Sequence, residues 1–520
     1  MADVESISGV ASASIESVSG VAAASVETIS GVTGGLGVQY AAVGAESAAG
    51  ADYNTSHRPV MCYDTSTDRI VVAYQFRDAS DAEFALKYVV GTLSADGSIS
   101  WGTPGTVDGG ATTGTPSNGG TERKIVKPLC MEFNSNINKI QIAYIVYHPA
   151  EDTDHKLYTK VGTVTGGTTN TVSWARTGDA NSDNVVIGEA PVKARMAFNS
   201  AVNKMYIHYK WVNESVGGSN EPENRVRELT SDTSSSSSLD VVTLRRPDGS
   251  TVYWPWKNGA GSINQQDWTG ITFADSVDRM LICTLSNDSS GGHPTGRMNV
   301  FLCDASTNNV VSGDYNGGYG FTADEDGHSH EEAAIAWDEE LDKFLWVFRD
   351  GDDNNYLKGI VGTLTSDTQG GTTYANVKPS YPLGSPDNTE TAITDVAVTG
   401  VNVIYNAAAN AQHFIVSYNR NDTYDDIAFR TVTLNASDNS FTVGAEKVLH
   451  TGGSGSEARD WSNATYSPYS NNMAYCPDGT AGVLICYQYD RDIGGGEGAQ
   501  TTTYVRRLAA LGTNYGQTAG

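Results

Sequence analysis

Several short segments place arginine beside or near aspartate: Arg77-Asp78, Arg349-Asp350, Arg420-Asn421-Asp422 and Asp490-Arg491-Asp492. A planar guanidinium and a carboxylate each offer paired, directional hydrogen bonds. Such groups suit the hydroxyls of a sugar. They suit equally well the tying together of neighbouring hairpins. A second set of segments adds carboxylates and two indoles: Glu122-Arg123, Asp267-Trp268, Asp324–Glu332 and Glu457-Ala458-Arg459-Asp460-Trp461. An indole stacks on the apolar face of a sugar, or packs between layers of a fold. The candidate ligand-binding residues are therefore Trp268, Trp461, Arg77, Asp78, Arg349, Asp350, Arg420, Asp422, Arg491 and Asp492.

Asp324-Glu325-Asp326-Gly327-His328-Ser329-His330-Glu331-Glu332 is the densest group of ligand-type residues. Its spacing is not that of an EF-hand loop, and a solvated acidic loop accounts for it. Neither a metal nor a cofactor is expected. Ser94-Ala95-Asp96-Gly97-Ser98-Ile99-Ser100-Trp101 resembles the Asp-box of sialidase propellers, but Ser98 stands where that motif has glycine. That box is a structural turn in any case. No serine nucleophile elbow and no phosphate-binding loop is present. With 61 acidic residues, carboxylate pairs of the glycosidase kind arise by accident. The residues alone thus lead to the expectation of no enzyme and no catalytic residues.

These groups need elements to hold them, and composition says which kind. The chain has 520 residues, 56 of them glycine and 26 tyrosine, with charged residues at only 18%. That fits an all-β protein with many turns better than a helical enzyme. The formal net charge of −28 gives no global attraction to nucleic acid or to an anionic membrane. No apolar run is long enough for a membrane-spanning helix. The start, Met1-Ala2-Asp3-Val4-Glu5, lacks the features of a signal peptide. Cys62, Cys130, Cys283, Cys303, Cys476 and Cys486 form no C-x-x-C pair, and several sit in apolar runs as small buried hydrophobes.

Two repeats organise the chain. The first, over 1–35, has a period of 11 and sets Val4, Ile7, Val10, Ile15, Val18, Val21, Val26, Ile29 and Val32 at matching positions. Eleven residues make three helical turns, but a Ser-Gly in every unit opposes a free-standing helix. Three units bury too little apolar surface to fold alone. An attachment or oligomerisation segment follows, with a trimer as the expected assembly. Residues 36–57 form a linker that includes a possible ring-closing strand, Leu36–Val43, with the tail Leu511–Gly520 as the competing candidate.

The second repeat fills 58–520. Aromatic anchors at Tyr63, Phe133, Phe198, Phe273, Trp337, Tyr405 and Tyr475 are separated by 70, 65, 75, 64, 68 and 70 residues. Each precedes a turn and an apolar strand such as Arg69-Ile70-Val71-Val72-Ala73-Tyr74. A third strand carries Val-Gly-Thr, and a fourth often ends in Trp, as at Trp101 and Trp174. Seven units of four antiparallel strands predict a seven-bladed β-propeller, whose closure removes exposed sheet edges.

The 11-residue Ile/Val-Gly-Val units and the blade pattern Arg/Lys-Ile-Val-Val-Ala-Tyr … Val-Val-Gly-Thr-Leu resemble structural and fibre proteins of tailed phages, especially phages of aquatic bacteria. That resemblance covers nearly the whole chain. It implies a virion component made in the host cytoplasm. Its leader would dock on other virion proteins and its propeller head would bind a host-surface receptor, expected to be a glycan. It implies no catalytic residues. An architectural capsid-decoration or collar protein, and a sialidase-like glycan-degrading enzyme, are the alternatives.

Overall fold

Strand one of the repeat ends on a side chain that caps its own turn. In the computed structural model Asp64 Oδ1 accepts from the N–H of Ser66 at 2.8 Å, Asn134 Oδ1 from Asn136 at 3.1 Å, and Asn199 Oδ1 from Val202 at 3.2 Å. Asp338 Oδ1 takes the N–H groups of Glu340 and Leu341 at 2.9 and 3.0 Å. Four residues after the cap position comes a left-handed residue: Asp68, Asn138, Asn203, Asp278 or Asp342, with φ between 51° and 55°. Short Asn and Asp side chains tolerate that conformation better than other non-glycine residues. The next residue is Arg69, Lys139, Lys204, Arg279 or Lys343, which opens strand two. So in repeats one, two, three and five the turn is written as an Asx cap, a left-handed Asp or Asn, and a cation. The fourth repeat keeps the left-handed residue and the cation but has Ala274 in place of the cap.

The structure describes residues 17–18, 21–22, 39–53, 59–77, 84–94, 97–108, 125–147, 156–165, 170–184, 194–213, 221–229, 239–241, 243–245, 268–286, 295–303, 309–312, 319–322, 330–350, 353–369, 371–380, 391–407, 413–420, 426–450, 472–476, 482–491 and 500–511. Among these the protein is all-β, with a single 3-10 turn at Asp275–Val277. Apart from the pair Ser17–Val18 with Val21–Ala22, the strands fall into seven sheets. Sheet 1 begins at Val60–Asp64, sheet 2 at Ile125–Asn134, sheet 3 at Ala194–Asn199 and sheet 4 at Trp268–Ala274. Sheets 5, 6 and 7 begin at His330–Asp338, Val398–Asn406 and Asn472–Cys476. Strands one, two and three of each sheet pair antiparallel in chain order. The first strands touch in succession, and that of sheet 7 touches that of sheet 1. In sheet 7 the outer strand is Gln39–Tyr53, paired antiparallel with Gln500–Leu511. In the N-terminal repeat, Ser17–Val18 pairs antiparallel with Val21–Ala22, so these residues are strand rather than helix.

The cores lie between neighbouring sheets. Val71, Leu86, Tyr88, Ile140, Ile142 and Tyr144 join sheet 1 to sheet 2. Leu345, Val347, Val398, Phe414, Val416 and Tyr418 join sheet 5 to sheet 6. The glycine of Val-Gly-Thr is explained by close approach. A Cβ on Gly91 would lie 2.6 Å from the ring of Trp101, and one on Gly162 2.7 Å from that of Trp174. The indole at the end of strand four thus rests on a bare stretch of strand three. Cys62, Cys130, Cys283, Cys476 and Cys486 are buried free thiols.

The cation that opens strand two joins sheets at the same end. Lys343 is buried, and its ammonium donates to the carbonyls of Asn435 at 2.6 Å, Ala436 at 3.4 Å and Asp438, all in the outer turn of sheet 6. Arg69 donates to Asn170 Oδ1 of sheet 2 at 3.1 Å, and Arg279 to the Ala375 carbonyl of sheet 5 at 2.7 Å. A chain of bonds crosses the turns as well. Asn136 Nδ2 donates to the Ser200 carbonyl at 2.8 Å, Ser200 Oγ to Asp275, and the Ser276 N–H to Glu339 Oε2 at 2.7 Å. This end of the ring is fixed, and the loops between strands two and three occupy the other.

Candidate functional site

Strand two ends where strand one begins, so the backbone brings several sequence-predicted residues to the loop end. Arg77 closes strand two of sheet 1, Arg349 and Asp350 that of sheet 5, Arg420 that of sheet 6 and Arg491 that of sheet 7. Trp268 opens strand one of sheet 4 and pairs with Leu285. Asp78, Asp422, Asp492 and Trp461 lie outside the described residues, as does the acidic segment 324–329. So do Val4, Ile7, Val10, Ile15, Val26, Ile29 and Val32. The backbone does not show Arg77, Trp268 and Arg491 meeting one another or the arginines of sheets 5 and 6.

Arg349 and Asp350 are adjacent in sequence and do not pair with each other. Successive strand residues point to opposite faces, which separates them. Arg349 Nη1 donates to Asn355 Oδ1 at 3.2 Å. Asp350 binds the Lys358 ammonium at 2.6 Å, and Asp353 joins it at 3.3 Å. Asn354 and Asn355 take the left-handed conformation that turns the chain back. The Val398 N–H then donates to the Asn355 carbonyl at 3.0 Å, tying this loop to sheet 6. Here the Arg-Asp motif closes the base of its own loop.

Sheet 6 gathers more chemistry, on the side that faces sheet 5. Tyr418 Oη donates to Glu446 Oε2 at 2.7 Å and accepts from Arg430 Nε at 3.2 Å. Arg420 Nη1 meets Glu446 Oε1 at 3.1 Å and Asp426 Oδ2 at 3.8 Å. Arg430 Nη2 lies 3.5 Å from Asp395 and 3.9 Å from Glu446. Two guanidiniums, three carboxylates and a phenol thus share one crevice. Arg420, Arg430 and Glu446 are each about a fifth exposed, at 24%, 20% and 19%, whereas Asp395 is 88% exposed. Burial and then the Glu446 carboxylate push the Tyr418 phenol well above its usual range, although the Arg430 guanidinium opposes this. Fully buried and held protonated, Tyr418 is a hydrogen-bond donor here and not a nucleophile.

Sequence reasoning found Arg420 in this crevice and missed Tyr418, Arg430, Glu446 and Asp395. The carboxylates come from segments with no motif. Lys447–His450 folds back along strand three of sheet 6, with Glu446 just before it. Thr391–Ala392 does the same on sheet 5, with Asp395 just after it. Sheet 1 repeats the device with Gly105–Asp108. There Asp108 accepts from Tyr144 Oη of sheet 2 at 2.8 Å, and Lys160 lies 3.9 Å from Asp108. One signal was available: tyrosine is the sixth residue of strand two at Tyr74, Tyr144 and Tyr418. Among the described residues no group of three or more His, Cys, Asp and Glu side chains is placed to hold a metal ion. Among the described residues no helix is long and apolar enough to cross a membrane.

No protein-family model matches the chain, and no curated protein matches it. Solved structures resemble it at low identity. The Hadza microbial sialidase Hz136 is 10% identical, with a TM-score of 0.39, over 82% of this chain and 73% of that one. The parainfluenza virus 5 hemagglutinin-neuraminidase ectodomain is 7% identical, with a TM-score of 0.39, over 77% and 82%. A thermostable family-43 glycoside hydrolase is 10% identical, with a TM-score of 0.31, over 64% and 95%. Likenesses at this level assign neither a substrate nor a reaction. They do correct the expectation of no enzyme, because the structures resembled are themselves sialidase, neuraminidase and glycoside hydrolase. That expectation rested on missing motifs, and paired carboxylates carry no motif.

Proposed function

We propose that the chain is a seven-bladed β-propeller that engages carbohydrate at the loop end, in the crevice between sheets 5 and 6. The supporting observation is the partly exposed set of Arg420, Arg430, Glu446 and Asp395 around the buried Tyr418 hydroxyl. Sugar hydroxyls both donate and accept, so a ligand of this class finds guanidinium donors and carboxylate acceptors in one place. Screening a glycan library against the full chain, then titrating any hit into Arg420→Ala and Asp395→Ala, tests this. Each substitution is expected to weaken binding about tenfold, the effect of about 1.4 kcal/mol. Binding that ignores both substitutions contradicts the site.

A second reading is that the same crevice cleaves the glycan it holds. It is favoured by the gathering of Glu446, Asp426 and Asp395 round two guanidiniums, since glycoside cleavage works through carboxylates. New reducing ends from a bound polysaccharide, lost in Glu446→Gln, would support it. No product after long incubation would count against it.

The setting we propose is a phage particle. In this reading segment 1–35 attaches a homo-oligomeric fibre to other virion proteins, and the propeller reaches a host-surface glycan. The repeat of Val-x-x-Ile-x-Gly-Val units supports it. Mass spectrometry of purified particles is expected to find the chain, and its absence from every particle would overturn the setting.

A further inference from the structure

The first strands enclose a second space, away from the loop crevice. A cavity of about 380 Å³ is lined by the first strands of sheets 2 to 6 and by Met473 of sheet 7. That lies within the range of about 300–1,000 Å³ typical of small-molecule sites. The anchors Phe133, Phe198, Phe273, Trp337 and Tyr405 all line it. Glu132, Arg195 and Asn402 line it too. Glu132 precedes its anchor by one residue, and Arg195 and Asn402 precede theirs by three. Odd offsets from the anchor share one strand orientation, so these polar groups come from equivalent positions on different strands.

The wall at Gly270 is closed by its neighbours. A Cβ on Gly270 would lie 2.6 Å from Cys283 Sγ and 3.1 Å from Ile335 Cγ2. Burial pushes the Cys283 thiol up to about 12, opposed by backbone hydrogen bonds and then by the Arg195 guanidinium. Arg195 is thus within electrostatic reach of sheet 4.

We propose that this cavity binds a small organic carboxylate, held by the Arg195 guanidinium, with Asn402 and the Glu132 carboxyl completing the polar wall and the anchor rings covering the apolar part. Guanidinium and carboxylate match as a bidentate, charge-assisted pair. Glu132 adds a proton link. Its Oε1 accepts from the Phe133 N–H at 3.1 Å, and burial raises its carboxyl to about 7. Glu132 in turn acts on the packed strands: after burial, its carboxylate raises the thiols of Cys62 and Cys130, while the Arg195 guanidinium lowers Cys130 against it. Among the cavity's other charged groups, Glu339 accepts from the N–H groups of Asp275 and Ser276. Below about pH 7 the Glu132 carboxyl is neutral and donates to the ligand. Above it, the carboxylate repels an anion, so affinity falls as pH rises.

Calorimetry on the full chain tests this, with benzoate as the probe and benzamide as its uncharged counterpart, at about pH 6 and about pH 8. Benzoate is expected to bind saturably and several-fold more tightly at the lower pH, and benzamide far more weakly. Arg195→Gln is expected to lose at least about tenfold in affinity. Glu132→Gln should bind benzoate at both pH values and lose the pH dependence. No saturable binding of benzoate at the lower pH overturns the proposal. So does equal binding of benzamide, or a pH dependence that survives Glu132→Gln. Should Arg195→Gln not fold, the benzamide comparison and Glu132→Gln still decide.

Discussion

The two ends of the ring spend their charged residues differently. At the turn end the Asx caps, the left-handed residue and the opening cation are reused from sheet to sheet, and most partners are backbone groups. Lys343, deep between sheets 5 and 6, is satisfied by three carbonyls. At the loop end each sheet has its own solution. Arg349 turns to an asparagine, Asp350 to a lysine, and Arg420 to two carboxylates. Charges aimed at backbone hold a ring together. Charges aimed at partly exposed side chains leave chemistry for a ligand.

That contrast breaks most visibly at the turn end. His413 stands where sheets 1 to 5 open strand two with Lys or Arg, and burial lowers it from 6.5 to about 4. The unfolded chain takes up this proton below about 6.5, whereas the folded chain waits until about 4. The stability is therefore complete above 6.5 and lost as pH falls through that window, on the order of 3 kcal/mol. Urea midpoints measured across this range should fall less steeply in His413→Gln.

Lys343→Met should cost roughly 1–3 kcal/mol, because the outer turn of sheet 6 loses a charged donor to three of its carbonyls. Denaturant unfolding measures it. An effect under about half a kcal/mol would remove the clamp from the account.

Asp338→Ala should cost less, about 1 kcal/mol, the usual worth of a side-chain cap on backbone N–H groups. Sugar binding should be unchanged.

Asp395→Ala should leave the melting temperature nearly unchanged, since an ion pair with an 88% exposed partner is worth about 0–1 kcal/mol. Its expected effect is on the ligand alone. A stability loss as large as that of Asp338→Ala would place the crevice with the architectural charges instead.

The fold was legible where packing repeats. The aromatic anchors, the Lys or Arg that opens strand two and the Gly-Trp pairs Gly91 with Trp101 and Gly162 with Trp174 recur because each sheet packs on its neighbour in the same way. The N-terminal repeat was ambiguous, because an 11-residue apolar period suits helix and hairpin alike. The pairing of Val18 with Val21 resolves it for those residues. The crevice was legible only through Arg420. Glu446 and Asp395 sit beside short extra strands of no fixed spacing, so nothing in the sequence binds them to Tyr418 and Arg430. Adjacency also misled: Arg349 and Asp350 read as a pair, but a strand turns consecutive side chains apart.

Hydrogen–deuterium exchange of the full chain, with and without a glycan found to bind it, tests the central claim most directly. The account predicts added protection at residues 395, 418–420, 426–430 and 446 at the loop end, with the turns 64–69, 134–139 and 338–343 unchanged. Protection confined to those turns, or spread evenly over both ends, would contradict it.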